Sequence, residues 1–186
     1  MKRQIRNGVF ETNSSSTHSI CIAKNPVTLL PIPECLDFEF DSYGWEEYKL
    51  TSIKEKVRYL YTCIGYLESE QKIKKVLQFI VKTLNKYGVK QIYFNPFDLC
   101  FYRDSKDEIT TYISPGSDGY VDHGHEAIEF VEDVCSDENK LINFLFSDQS
   151  FVLTGNDNSG TDVTIRVDYE HDEYYKGNWL WKDRLD

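Results

Sequence analysis

The strongest constraint on the fold is a pair of amphipathic helices in the middle of the chain. Ser52 and Glu55 match the S-x-x-E pattern of a capping box. In this motif the two side chains accept hydrogen bonds from free backbone amides at a helix N-terminus. Apolar residues then recur at helical spacing, namely Ile53, Val57, Leu60, Tyr61, Ile64 and Leu67. The same spacing predicts a second helix over 70–87, and Gly88 suits its C-terminal end. Each helix therefore has an apolar face that other elements must cover.

Short segments with the pattern of strands lie on both sides of the helix pair. The predicted strands are residues 2–10, 20–23, 35–40, 89–94, 99–102, 109–113, 151–154 and 161–169. Consecutive strands are expected to pair across the turns that join them: 2–10 with 20–23, 99–102 with 109–113, and 151–154 with 161–169. Two short helices are predicted over 127–134 and 139–146. The expected fold class is α+β, with a mixed or antiparallel sheet, the helical pair and short additional helices, in a single domain over residues 1–186.

The predicted strand 35–40 has two different faces. Apolar and acidic residues alternate along it in the order Leu36, Asp37, Phe38, Glu39, Phe40. Alternation of this kind is typical of a strand with one face on the core and the other in solvent. We therefore expect an edge strand here.

The composition predicts a folded protein in a reducing compartment. Apolar residues make up 40% of the chain and aromatic residues 15%, which is typical of a globular core. The five cysteines contain no CxxC pair, which indicates reduced and mainly buried thiols. No apolar run has membrane-spanning length, and the first residues lack the apolar core of a signal peptide, so we expect a cytoplasmic protein without a membrane partner.

The net charge restricts how the protein can interact with nucleic acid. The formal charge is −10, from 31 acidic and 21 basic residues. A protein that holds nucleic acid through its general surface is normally basic, because phosphate neutralisation supplies most of the affinity. Two interpretations remain open. The chain binds a basic protein surface by charge complementarity, or it acts on a phosphate ligand through a small cationic site.

A dense polar segment near the start of the chain is the first candidate site. Six of the eight residues from 12 to 19 are Ser or Thr, and the other two are Asn13 and His18. With Arg6 and Glu11 close by, the segment supplies the groups of a phosphate-binding or proton-transfer site. We expect Arg6 to clamp phosphate and Glu11 and His18 to handle protons, with ligand donors at Asn13, Ser14, Ser15 and Ser16. An ordinary Ser-rich hairpin loop with a solvent-facing histidine is the alternative.

Residues 122–126 form a second candidate, with the sequence DHGHE. We expect Asp122 and His123 to lie beside His18 in one pocket, where the carboxylate orients an imidazole. Two histidines flanking a phosphodiester would allow RNA cleavage without a metal, so no cofactor is required. A divalent metal held by His123 and His125 is a second interpretation, although no cluster supplies the remaining ligands. A helix-capping aspartate with exposed histidines is the third.

The opening residues 2–19, KRQIRNGVFETNSSSTHS, carry a family resemblance. This run resembles the opening of a large group of proteins from Firmicute phages and mobile elements. Some type II-A anti-CRISPR proteins, which act against Cas9 and include ones associated with guide-RNA truncation, look similar in size and origin. The resemblance implies a counter-defence protein in the bacterial host cell, with a Cas9-type effector and its guide RNA as partners.

Three functions therefore remain to be compared. The first is cleavage of the guide RNA of a Cas9 complex at the N-terminal polar site, with the acidic body docked on the basic effector. The second is a non-catalytic acidic inhibitor that occludes a nucleic-acid-binding channel. The third is a small enzyme that acts on a free nucleotide or signalling molecule.

Overall fold

A computed structural model describes residues 16–24, 26, 28–44, 46–103, 109–114, 119–122, 127–156 and 173–177. The strands in this part of the chain are β1 (Ser16–Ile22), β2 (Cys35–Phe38), β3 (Ser42–Tyr43), β4 (Tyr48–Leu50), β5 (Gln91–Phe94), β6 (Asp98–Arg103), β7 (Ile109–Ser114), β8 (Tyr120–Val121), β9 (Phe151–Asn156) and β10 (Glu173–Gly177). The helices are α1 (Ile53–Ile64), α2 (Glu70–Lys86), α3 (Ile128–Val134) and α4 (Glu138–Phe146). Helices beside an antiparallel sheet confirm the α+β fold class.

The largest sheet is antiparallel and joins the two ends of the described chain. Its strand order is β10-β1-β9-β4, and His18 of β1 lies opposite Thr154 of β9. Both edges of β1 are thus occupied, so the predicted pairing of residues 20–23 with 2–10 is wrong. Both edges of β9 are occupied as well, so its predicted pairing with 161–169 is also wrong. Residues 2–10 and 161–169 lie outside the described residues.

Three smaller strand pairs lie outside this sheet. β6 and β7 form the antiparallel hairpin that the sequence predicts, with Asp98 opposite Ser114 and Arg103 opposite Ile109. β3 and β8 form a short parallel pair. β2 and β5 are also parallel, and Asp37 lies opposite Tyr93 in their register. A parallel pair requires a long crossover, which here contains the two predicted helices α1 and α2.

Local signals define the ends of these two helices. The Ser52 hydroxyl accepts a hydrogen bond from the Glu55 amide at 3.3 Å, and the Glu55 carboxylate accepts one from the Ser52 amide at 2.9 Å. This reciprocal pair confirms the predicted capping box. Ser69 caps α2 through the Lys72 amide, and Gly88 follows the helix with a φ of 101°. A left-handed φ of this kind favours glycine, which confirms the predicted helix end.

Helix α1 lies at the centre of the core. From Lys56 to Ile64 every residue except Arg58 is buried, and the helix contacts α3, α4, β2 and β8. A helix that is buried almost all round needs apolar partners on several sides, and α3 and α4 supply many of them. The described thiols are free, and those of Cys21, Cys63 and Cys135 are buried as predicted. In the described ranges no helix is long and apolar enough to cross a membrane.

Candidate functional site

Most of the predicted N-terminal site lies outside the described residues. This applies to Arg6, Glu11, Asn13, Ser14 and Ser15, and also to His123 of the second candidate. Their predicted roles stay predictions.

Four residues of the polar segment, among them the predicted site residues Ser16 and His18, belong to strand β1. The expectation of a loop through residue 19 is therefore wrong for this part of the segment. Successive residues of β1 from His18 to Ile22 are buried, because the strand is central in its sheet and covered on both faces. Such a strand needs no alternation of polar and apolar residues, so it can begin in a run rich in Ser and Thr.

His18 lies in the core, with an exposed fraction of 1%. Its Nδ1 is 2.9 Å from the Tyr59 hydroxyl, and the two rings have centroids 5.8 Å apart. Tyr59 also forms a hydrogen bond with the Cys63 thiol one helical turn further along α1. Burial raises the pKa of the Tyr59 hydroxyl and of the Cys63 thiol, so both groups stay protonated at neutral pH. The three side chains form a buried polar chain that ties β1 to α1.

The structure connects His18 to the second candidate segment through two tyrosines. The ring of Tyr59 packs edge-on against the ring of Tyr43, with centroids 5.0 Å apart. The Tyr43 carbonyl oxygen accepts a hydrogen bond from the Asp122 amide at 2.9 Å. Asp122 is partly exposed at the end of β8, whereas His18 is buried. A chain of contacts through Tyr59 and Tyr43 therefore links His18 to Asp122, and the expectation that they share one pocket stays a prediction.

Lys56 is a buried cation that sequence reasoning did not single out. Its Nζ donates hydrogen bonds to the carbonyl oxygens of Ser147 at 2.7 Å and Ser150 at 3.1 Å. Burial lowers the pKa of Lys56 to about 8, and attraction by Asp148 and Glu55 opposes that shift. The ammonium satisfies two carbonyls in the turn between α4 and β9. The sequence did contain a signal for this buried lysine, because Lys56 falls among the apolar positions of the predicted helix.

An open groove with a volume of about 410 Å³ lies at the carboxyl ends of β2 and β5. It is lined by Asp37, Phe38, Glu39, Phe40, Tyr93, Phe94 and Asn95. Crevices at the carboxyl ends of parallel strands are common ligand sites, because the chain leaves the sheet there and exposes side chains from both strands. The groove is therefore a candidate binding site.

Buried aromatic side chains pack beneath the strand ends that line this groove. The Phe38 and Phe94 rings have centroids 4.8 Å apart, and Phe40 stacks on Tyr61 of α1 at 4.7 Å. The Tyr61 hydroxyl donates a hydrogen bond to the Asn95 carbonyl oxygen, which fixes the chain just after β5. Since Phe38, Phe40 and Tyr61 are buried in the core, they hold the ends of β2 and β5 in place beneath the groove.

Carboxylates form the rim. Glu39 accepts a hydrogen bond from the Arg58 guanidinium, and this bond together with the guanidinium charge lowers the pKa of the carboxyl group. Arg58 also lies 3.6 Å from the Asp41 carboxylate. Asp37 is exposed, and in the described part of the chain no basic side chain forms an ion pair with it. No residue that lines the groove is basic, so its charge is negative.

The sequence predicted the two faces of this region but not the groove. The alternation over 35–40 correctly assigns Phe38 to the core and Asp37 to the surface. It contains no information about β5, which lies more than fifty residues further along the chain and supplies the other wall.

No cluster of three or more His, Cys, Asp or Glu side chains that would hold a metal ion occurs in the described ranges. The proposed ligands His123 and His125 are outside those ranges, so the metal interpretation stays a prediction.

The comparisons with known proteins do not add a relative to this picture. No protein-family model, no curated protein and no solved structure matches the chain. The groove, the net charge and the buried polar residues are therefore the basis on which a function can be proposed.

Proposed function

We propose that the protein is a binding inhibitor that attaches to a basic, nucleic-acid-binding surface of a partner protein. The observation that carries this proposal is the groove at the ends of β2 and β5, where the carboxylates of Asp37 and Glu39 lie with the exposed ring of Tyr93. The groove belongs to a chain with a formal charge of −10.

Charge complementarity would draw the negatively charged groove to a basic surface of the partner. Proteins that hold nucleic acid present Lys and Arg to the phosphates, and an acidic protein is attracted to the same surface. Long-range attraction raises the association rate, and the exposed Tyr93 ring adds contacts after docking. Occupying that surface excludes the nucleic acid, and no bond has to be broken.

Residues 2–19 resemble the opening of proteins from Firmicute phages and mobile elements, and some type II-A anti-CRISPR proteins look similar in size and origin, which suggests the partner. We propose a Cas9-type effector, whose guide–target heteroduplex occupies a positively charged channel. In this proposal the protein occludes part of that channel.

Guide-RNA cleavage is the second candidate. One observation favours it: a chain of contacts through Tyr59 and Tyr43 links His18 to Asp122, and both are predicted catalytic residues. A buried imidazole can act in proton transfer only if substrate reaches it, whereas docking through the groove needs no rearrangement.

One experiment separates the two candidates. Cas9 with labelled guide RNA is incubated with the protein, with and without a chelator, and both RNA length and cleavage of target DNA are measured on gels. Loss of DNA cleavage with intact RNA supports occlusion, and shortened RNA supports catalysis. Undiminished DNA cleavage with intact RNA contradicts both. The Asp37→Lys variant should lose inhibition by occlusion, and Glu129→Lys, an equal charge change outside the groove, is its control.

A further inference from the structure

The outer face of the β2–β5 pair places a carboxylate beside an exposed aromatic ring. Asp37 and Tyr93 are partners in the parallel register, so their side chains leave the sheet on the same face. Tyr93 has an exposed fraction of 57%, the largest of the apolar side chains that remain exposed in the described ranges. Exposure of this extent leaves the ring available for contact with a partner.

The neighbouring carboxylates differ in how far they are already neutralised. Arg58 of the protein itself lies between Glu39 and Asp41. Asp37 has no such cation among the described side chains, and its contact with the Cys35 thiol, at 3.9 Å, is a weak one. Of these three carboxylates, Asp37, next to Tyr93, is therefore the one whose negative charge is least compensated.

A guanidinium group matches this pair of side chains. Its planar face stacks on an aromatic ring while its N–H groups donate to a carboxylate in the same plane. The groove volume of about 410 Å³ accommodates one arginine side chain. An ammonium group is more strongly hydrated and cannot stack in this way, and an anion would be repelled.

We infer that the groove binds a single arginine side chain of the partner, with the guanidinium between the Asp37 carboxylate and the Tyr93 ring. The nature of the partner rests on the proposed function, since an arginine-rich surface is what a nucleic-acid-binding protein presents. The recognition of arginine itself rests only on the groove.

The test uses a fluorescein-labelled hexa-arginine peptide, and fluorescence anisotropy at low salt measures its affinity. The peptides for comparison are hexalysine and hexacitrulline, which keeps the shape of arginine without the charge. We expect the arginine peptide to bind more tightly than the lysine peptide, and the citrulline peptide to show no binding.

Variants of the full chain locate the site. Asp37→Asn and Tyr93→Leu should each weaken arginine-peptide binding about threefold, and Tyr93→Phe should retain the affinity because the ring is kept. The matched controls are Glu129→Gln and Tyr120→Leu, at exposed positions outside the groove, and they should change the affinity by less than about 1.5-fold. Thermal unfolding verifies that each variant is folded.

Equal affinity for arginine and lysine peptides, or unchanged binding by Tyr93→Leu, would overturn the inference. Cas9 inhibition that Asp37→Lys abolishes, but that Asp37→Asn and Tyr93→Leu retain together with normal peptide binding, would refute the arginine site and leave the proposed function intact. Selective arginine binding that depends on Tyr93, without any inhibition of Cas9, would leave the site intact and refute the proposed function.

Discussion

Polar groups around α1 are buried, whereas polar groups in the β2–β5 groove are exposed to solvent. Around α1, Lys56 donates to two carbonyl oxygens and His18 contacts the Tyr59 hydroxyl, so these buried groups form hydrogen bonds within the protein. In the groove, Asp37 and Tyr93 face solvent. Burying a polar group costs free energy that only an internal partner offsets, whereas an exposed group carries no such cost. Substitutions around α1 should therefore affect stability, and substitutions in the groove should affect binding.

The largest effect is expected at Lys56. Lys56→Ala removes the donor to the Ser147 and Ser150 carbonyls and leaves a cavity, so it should lower the free energy of unfolding by about 3 kcal/mol. Urea unfolding followed by circular dichroism measures the loss. Lys54→Ala, at an exposed position of the same helix, should change stability by less than about 0.5 kcal/mol. Equal effects of the two variants would refute the structural role of Lys56.

A smaller effect is expected at Tyr59. Tyr59→Phe keeps the ring but removes the hydroxyl that contacts His18 and Cys63, and it should lower the free energy of unfolding by about 1.5 kcal/mol. Chemical denaturation gives the value, and Tyr48→Phe at an exposed position is the control. If Tyr59→Phe were as stable as the control, the buried polar chain would contribute nothing to the fold.

Stability should also depend on pH through Lys56. The folded protein lowers the pKa of this lysine to about 8 from an ordinary 10.5, so the unfolded chain binds more protons between these values. The contribution of Lys56 to stability therefore rises with pH over this window. Between about pH 7 and about pH 9, stability relative to Lys56→Met should increase by about 1 kcal/mol. The difference between the two proteins isolates Lys56 from the buried Cys and Tyr groups, whose raised pKa values act in the opposite direction.

The smallest effect on stability is expected in the groove. Asp37→Asn and Tyr93→Leu replace exposed side chains, so each should change the free energy of unfolding by less than about 0.5 kcal/mol. Urea unfolding tests this alongside the peptide-binding measurements. A loss above about 1 kcal/mol would show that these residues serve the fold, and the contrast with the surroundings of α1 would disappear.

The parts of the fold that sequence reasoning predicted well are those with local causes. The capping box at Ser52 and Glu55, the helical spacing that follows it and the glycine after α2 act within a few residues of one another. The β6–β7 hairpin is similarly local, since its strands are consecutive. The mistakes concern strand partners: β1 pairs with strands from the far end of the chain, and nothing near residue 20 specifies that.

The candidate site shows the same division. The amino-acid sequence by itself determined the acidic net charge and which of Asp37 and Phe38 faces the core, because charge follows from composition and strand alternation is local. Tertiary structure decided that Tyr93 lies beside Asp37 and that His18 lies against Tyr59. Each of these pairs is separated by about forty residues or more, and its formation depends on how the whole core packs.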